Sequence, residues 1–404
     1  MASEVLEVEG HIIDSLILAK ILDLIVDAGA DYRMVDVDIG RTNLDASKVR
    51  FEVVASDEDA LGRLLSDLRV HGANRIAESD ALVAIAPTDG VLPAGFNATS
   101  NLPTQVRLAG RWVDVENPEM DCALVVGAEG RVRTSPMHRV RAGDQVVVGD
   151  DGVRARLVER PRGASSFEFM TSEVSSEKPK DVLVSRVADR IRAARADGAK
   201  VLAVCGPAVV HTGAAPDLAT LVRDGWIDVV FAGNGFATHD IEANVSGTSL
   251  GVPLSGDAPV AGGHSNHLRV INEVRRRGSI AAAVDEGWLT GGVMYECVRR
   301  QVPFVLGGSV RDDGPLPDVI TDVVEAADAM RALLDGVRVA LMLASTLHAI
   351  ATGNLLAAGV ETYCVDINQA VVTKLSDRGS RQALGIVTDV GLFLDKLITH
   401  LVVP

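Results

Sequence analysis

His239, Asp240 and Glu242 follow directly on the turn Gly233-Asn234-Gly235. A histidine beside a carboxylate is a candidate general base with a tuned pKa. The structural alternative is that Asp240 caps a helix and His239 is merely exposed. The segment Arg311-Asp312-Asp313-Gly314-Pro315-Leu316-Pro317-Asp318 concentrates carboxylates and prolines after an apolar run, a rigid loop suited to grip ammonium groups or ribose hydroxyls. Its alternative is a solvated turn. Glu296-Cys297 offers an acid and a thiol on a helix, the thiol being either reactive or a packing residue. His264-x-x-His267 could share a helix face, yet no third ligand lies at useful spacing, so no metal is expected and His264 is read as part of a substrate loop.

These residues need a scaffold, and the stretch Val201 to Asp389 reads as buried strands ending in glycine, small polar residues and an acid. Cys205-Gly206-Pro207, Gly233-Asn234-Gly235, Ala344-Ser345-Thr346, Asp366-Ile367-Asn368 and Thr388-Asp389 are such ends. Open parallel sheets bind ligands outside the carboxyl ends of their strands. Glycines there admit a phosphate and carboxylates hold ribose, so a nucleotide site is expected. The usual GxGxxG fingerprint is missing; Gly233 to Thr238 comes nearest and lacks the third glycine.

The chain of 404 residues is long enough for two or three domains, and 47% hydrophobic content supports sizeable cores. A net charge of −16 argues against nucleic-acid or anionic-membrane partners, and aromatics at 3% argue against base-stacking platforms. Cys122, Cys205, Cys297 and Cys364 lie far apart without a CxxC pair, so neither a disulfide framework nor a zinc ribbon is expected. The N-terminus lacks a basic region followed by an apolar core, and no run of about 18 uninterrupted apolar residues occurs. A cytoplasmic protein without leader or membrane span is the expectation.

Three parts are expected. Residues 1–84 form a small ferredoxin-like α+β module, with helices over Ser15 to Ala28 and Asp57 to Val70 and strands over Tyr32 to Ile39 and Val49 to Ala55. Residues 85–164 alternate short apolar pieces with Pro and Gly turns, a β-rich module. A polar linker over 165–180 leads to a large α/β domain, 181–404, that opens on a helix from Asp181 to Ala196.

The strand ends, together with Gly10 to Ser15, Gly40 to Thr42, Gly247 to Val252, Met294 to Val298 and Val365 to Leu375, resemble one family. It is the lysine-oxoglutarate reductase/saccharopine dehydrogenase conserved-region family, which includes archaeal-type ornithine cyclodeaminases. The likeness spans essentially the whole chain from near Val5, so no arginine dihydrolase domain is expected ahead of it. More distantly the large domain is similar to deoxyhypusine synthase, an NAD enzyme with a Rossmann-like sheet. That likeness implies an NAD site lined by Asn234, Gly235, Ala344, Ser345, Asp366, Asn368 and Asp389, with Asp313 and Asp318 facing substrate amines; the strand-end pattern adds Gly206, Pro207 and Thr388 to the cofactor candidates. The resemblance implies a cyclising lyase that turns ornithine into proline and ammonia with recycled NAD, in arginine and ornithine catabolism and proline biosynthesis. His239, Asp240, Glu296 and Cys297 are the candidates for proton handling, and Arg311 for the substrate carboxylate. A homo-oligomer, dimer or tetramer, is expected.

Two other classes stay open at this point. One is a dehydrogenase or synthase acting on lysine, saccharopine or a polyamine, which would release NADH. The other is a non-catalytic NAD-dependent regulator, which would bind the cofactor without turnover.

Overall fold

A computed structural model describes the chain apart from residues 14–15, 42–44, 70, 77–78, 158–179, 250–251, 254–264, 313, 372–373, 375–382 and 403–404. It divides into two compact units, Met1–Ser172 with Asn354–Gly359, and Glu173–Gly353 with Val360–Pro404.

The first unit opens with β1 (Ala2–Gly10), α1 (Ile17–Asp27), β2 (Asp31–Asp38), β3 (Ser47–Ala55), α2 (Glu58–Arg69) and β4 (Asn74–Arg75). The strands form an antiparallel sheet in the order β2-β3-β1-β4, the split βαβ arrangement of ferredoxin-like modules. Alternation in β3 buries Val49, Phe51 and Val53 against Leu6, Val8, Ile21, Ile25, Leu61 and Leu68. Asp57 starts α2 as expected, its carboxylate accepting the Ala60 N–H at 2.8 Å. The sequence reading lacked β1 and β4. Glutamates at 4, 7 and 9 dilute the apolar signal of β1, and β4 has only two residues.

A second sheet in this unit contains β5 (Leu82–Ile85), β6 (Thr104–Leu108), β7 (Arg111–Glu116), β8 (Ala123–Val126), β9 (Val132–Ser135), β10 (Gln145–Val148) and β11 (Val153–Ala155). Its order is β11-β6-β7-β9-β8-β10-β5, around a core of Val106, Leu124, Val132 and Val147. These strands are the β-rich region that the Pro and Gly turns announce. The expected linker falls almost entirely outside the described residues.

The second unit begins with α3 (Lys180–Ala196), β12 (Lys200–Cys205), α4 (Ala208–His211), α5 (Ala215–Arg223), β13 (Val229–Gly233), α6 (Asn234–Ser246), β14 (Thr248–Ser249) and β15 (Val252–Pro253). It continues through α7 (Asn266–Arg277), α8 (Ile280–Asp285), α9 (Val293–Arg300), β16 (Phe304–Gly307), β17 (Val319–Ile320), α10 (Val323–Leu333) and β18 (Val337–Leu343). The last elements are α11 (Leu347–Leu355), β19 (Glu361–Asp366), β20 (Ala383–Val387) and α12 (Val390–Val402). The parallel sheet runs β17-β16-β13-β12-β18-β19-β20. Numbered from β12 and leaving aside β17, this is the Rossmann order three-two-one-four-five-six. Central strands are buried on both faces, which is why VLAVC and VALML read as continuous apolar runs. Strand order reverses at β12 and β18, which stay parallel, and the crevice above that junction is where such sheets bind dinucleotides.

Candidate functional site

The crevice is built by backbone contact. Gly206 donates its N–H to the Leu343 carbonyl at 2.9 Å, and Ala344 donates to the Val365 carbonyl at 2.8 Å. A Cβ on Gly206 would lie 1.9 Å from the Ala344 oxygen. Ala344 itself has φ of +46°, a left-handed conformation uncommon for alanine. Strain of this kind concentrates at functional sites, where the surrounding structure has to enforce it.

Across the sheet, the expected cofactor residues stand at neighbouring strand ends. Ser345 and Thr388 are buried, and Asp366 is nearly so. The Asp366 carboxylate accepts the Asn368 N–H at 2.8 Å, and Asp389 caps α12 by accepting the Leu392 N–H at 3.0 Å. The Thr388 hydroxyl is buried with no hydrogen-bond partner among the described residues. A buried polar atom left unpaired is costly, and an orphan hydroxyl next to Asp366 is what a ligand with free hydroxyls would satisfy. The residues present therefore fit a dinucleotide.

The Gly233-Asn234-Gly235 turn serves packing. A Cβ on Gly233 would sit 2.7 Å from His348 Nε2, and one on Gly235 would touch Pro207 at 3.4 Å. Asn234 accepts the Leu316 N–H at 3.0 Å, tying the start of α6 to the loop after β16. His348, on α11, thus lies over the ends of β13 and β16, where Gly307 also leaves room for it. Burial lowers its pKa, with Asp312 opposing that shift. Nothing in the sequence singled out His348, because its neighbours there come from distant strands.

His239 and Asp240 are adjacent in sequence yet do different work. Consecutive helical residues point about 100° apart, whereas residues three apart share a face. Accordingly His239 Nδ1 meets Glu242 at 2.9 Å, while the Asp240 carboxylate turns away to accept the Val293 and Met294 N–H groups at 3.0 and 2.8 Å. Asp240 therefore caps α9 rather than its own helix, and the pairing of His239 with Asp240 is replaced by His239 with Glu242. Burial raises the pKa of Asp240 to about 6.

That shift has a testable consequence. A carboxyl with a raised folded-state pKa binds its proton more tightly when folded, so its contribution is present below about pH 4 and is lost as pH rises through about 6. Relative to Asp240→Asn, the wild type should gain stability as pH falls from 7 to 4. Parallel melting curves of the two proteins across this range check it, and parallel pH profiles would refute it.

Around His239 gather His211 from α4 and His267 from α7, with ring centroids 4.9 and 6.3 Å away. His211 Nδ1 lies 2.7 Å from the Ser249 hydroxyl, and burial followed by the neighbouring His239 lowers its pKa. The cluster flanks the carboxyl ends of β12 and β13.

Other expected residues are placed apart from this cluster. Cys297 is buried in the core and its thiol pKa is pushed well up by burial, a packing environment. Glu296 is half-buried in the first turn of α9. Asp318 accepts the Ile280 N–H at 2.8 Å, so its carboxylate anchors α8, and burial raises its pKa. Arg311 is exposed on the loop after β16. His264 and Asp313 lie outside the described residues. Among the described residues no cluster of metal-ligating side chains occurs, and no helix is long and apolar enough to cross a membrane.

Comparison with known proteins agrees with this architecture. Residues 185–397 match the family model described as arginine dihydrolase ArgZ-like, C-terminal, Rossmann fold. Residues 103–184 match the first region of the same C-terminal part, and residues 3–102 the LOR/SDH bifunctional enzyme conserved region. A protein of Methanopyrus kandleri named ornithine cyclodeaminase is 51% identical over 98% of this chain and 97% of its own length. The apo crystal structure of the cyanobacterial arginine dihydrolase ArgZ superposes with a TM-score of 0.86 at 37% identity, covering 99% of this chain and 58% of that one. The ternary complex of AgrE with ornithine and NAD+ does so with a TM-score of 0.54 at 41% identity, covering 99% and 57%. AgrE of Nostoc is named a bifunctional arginine dihydrolase/ornithine cyclodeaminase. The sheet order, the LOR/SDH region and the full-length identity to archaeal cyclodeaminases together place the chain in the LOR/SDH-type ornithine cyclodeaminase family.

Proposed function

We propose that this chain is an NAD-dependent ornithine cyclodeaminase, releasing proline and ammonia from L-ornithine. The observation that carries the reading is identity near one half, along the whole chain, to archaeal proteins bearing that name. The AgrE complex with ornithine and NAD+ supports the same pair of ligands.

NAD, when bound, supplies a hydride acceptor that is restored within each turnover, so the net reaction is redox-neutral. Ser345, Asp366 and the unpaired Thr388 hydroxyl are the groups suited to hold it, with Asp366 on ribose hydroxyls. In the usual Rossmann site that acid follows the second strand. Here β13 ends in Gly233-Asn234 and the acid stands at β19, so the ribose contact is assigned to the opposite half of the sheet. Gly206 and Ala344 shape the crevice floor.

Proton handling falls to His239. Singly cationic ornithine becomes neutral proline plus ammonium, so no proton is gained or lost overall. The α-ammonium must lose a proton before hydride can leave Cα, and the δ-ammonium one before it can attack. Each proton is later returned, one to the departing amine and one to the proline nitrogen. A base that takes and returns protons meets these needs, and imidazole suits that exchange near neutral pH. Arg311 is assigned to the substrate carboxylate, as a forked donor.

A cytoplasmic homo-oligomer completes the proposal. Its support is β2, an edge strand whose Tyr32, Met34, Val35 and Val37 stay exposed, together with neighbouring Ile39. Apolar edge strands are ordinarily covered. Light scattering should give a mass at least twice that of the chain, and Val37→Glu should reduce it; a wild-type monomer would refute this part.

The activity is tested by supplying ornithine with substoichiometric NAD+. Proline and ammonium in equal amounts, far beyond the NAD added, are expected. Net NADH with another diamino acid would favour the dehydrogenase class, and binding without turnover the regulator.

A further inference from the structure

The Glu242 side chain is fully buried on α6, and both its oxygens are engaged. One lies 2.9 Å from His239 Nδ1, and the other accepts the Thr248 hydroxyl at 2.8 Å. Thr248 in turn accepts the Asn266 side-chain N–H at 2.9 Å. The donors therefore run in one direction, from α7 through β14 to the carboxylate. A carboxylate can only accept, so the His239 contact requires the proton on Nδ1. The neutral ring then presents Nε2 as its basic nitrogen.

We propose that Glu242 is the positioning residue of the reaction: it fixes the tautomer and orientation of His239, and Thr248 and Asn266 fix Glu242. This rests on His239 being the acid–base group. In that role Glu242 also stabilises the imidazolium formed when His239 holds the substrate proton, so that the proton stays in the site until the leaving amine takes it. Among the described residues, the ionisable groups facing His239 are Glu242 on its own helix, His211 from α4 and His267 from α7.

The test is the pH dependence of kcat and KM for ornithine in the full-length NAD-loaded protein, comparing wild type, Glu242→Gln, Thr248→Val and His239→Gln. Glu242→Gln keeps the shape but loses the charge. It should lower kcat about thirtyfold, less than the roughly 10²–10⁴-fold of losing an acid–base group outright, with KM nearly unchanged. Its acid-limb inflection should move down by about one pH unit, because imidazolium loses its counter-charge. Thr248→Val removes a donor from the carboxylate and should move that inflection up. Shifts in opposite directions cannot come from loosened packing. Wild-type kcat and pH profile in Glu242→Gln, with His239→Gln inactive, would overturn the positioning role alone. Retained turnover in His239→Gln would overturn the assignment of the base beneath it. If Glu242→Gln does not fold, the direction of the Thr248→Val shift decides, and a downward or absent shift overturns the proposal.

Discussion

Replacing His239 by Gln should lower kcat for ornithine about a thousandfold while NAD binding and the melting temperature stay close to wild type. Glutamine can still donate to Glu242, so the buried carboxylate keeps a partner and the fold loses little. What disappears is the ability to hold a proton between the two amines. The neighbouring imidazoles do not substitute easily. His211 is turned to Ser249, and its lowered pKa makes it a poorer proton carrier near neutral pH. Steady-state kinetics with NAD titration by fluorescence separates the two effects. Turnover within threefold of wild type would remove His239 from the chemistry.

Gly206→Ala carries the largest expected cost to the fold. The added Cβ would meet the Ala344 carbonyl oxygen at 1.9 Å and its carbon at 2.7 Å, both backbone atoms that no rotamer change can clear. Relief requires parting β12 from β18 at the centre of the sheet, where Cys205 pairs with Leu343. Overpacking of this kind costs about 3 kcal/mol or more. In a unit of this size that lowers the melting temperature by roughly 10 °C. NAD binding should be lost as well, since the two strand ends form the crevice floor. Gly235→Ala is the control: its Cβ would stand 3.4 Å from a Pro207 ring carbon, so a small effect is expected. Equal melting temperatures for Gly206→Ala and wild type would show that the close approach does not constrain the fold.

The doubly wound sheet was readable because its central strands are buried on both faces, which makes them uninterrupted apolar runs with polar ends. The places of Ser345, Asp366 and Thr388 at the carboxyl ends of β18, β19 and β20 followed from that plan. Side-chain direction was harder to read. Asp240 sits beside His239 in sequence, but helix geometry sends it to α9, and the useful partner is Glu242 one turn on. Asp318 reads as a substrate carboxylate, and nothing in the sequence signals that one of its oxygens also accepts the Ile280 N–H of α8. Gly233 and Gly235 looked like room for a phosphate, whereas Gly233 makes room for His348 and Gly235 packs against Pro207. Each of these depends on a residue far away in sequence. His348 and His211 belong to the same class: a lone histidine acquires meaning only from neighbours that the fold delivers.

The most direct test of the account follows both labels from L-ornithine carrying 15N on the α-amine and deuterium on Cα, with NAD present at enzyme concentration. If the α-amine leaves and the hydrogen removed from Cα returns to the same carbon, 15N appears in ammonium and deuterium is retained in proline. Retention of 15N in proline would contradict departure of the α-amine, and loss of the deuterium to solvent or to accumulating NADH would contradict the return of hydride to Cα.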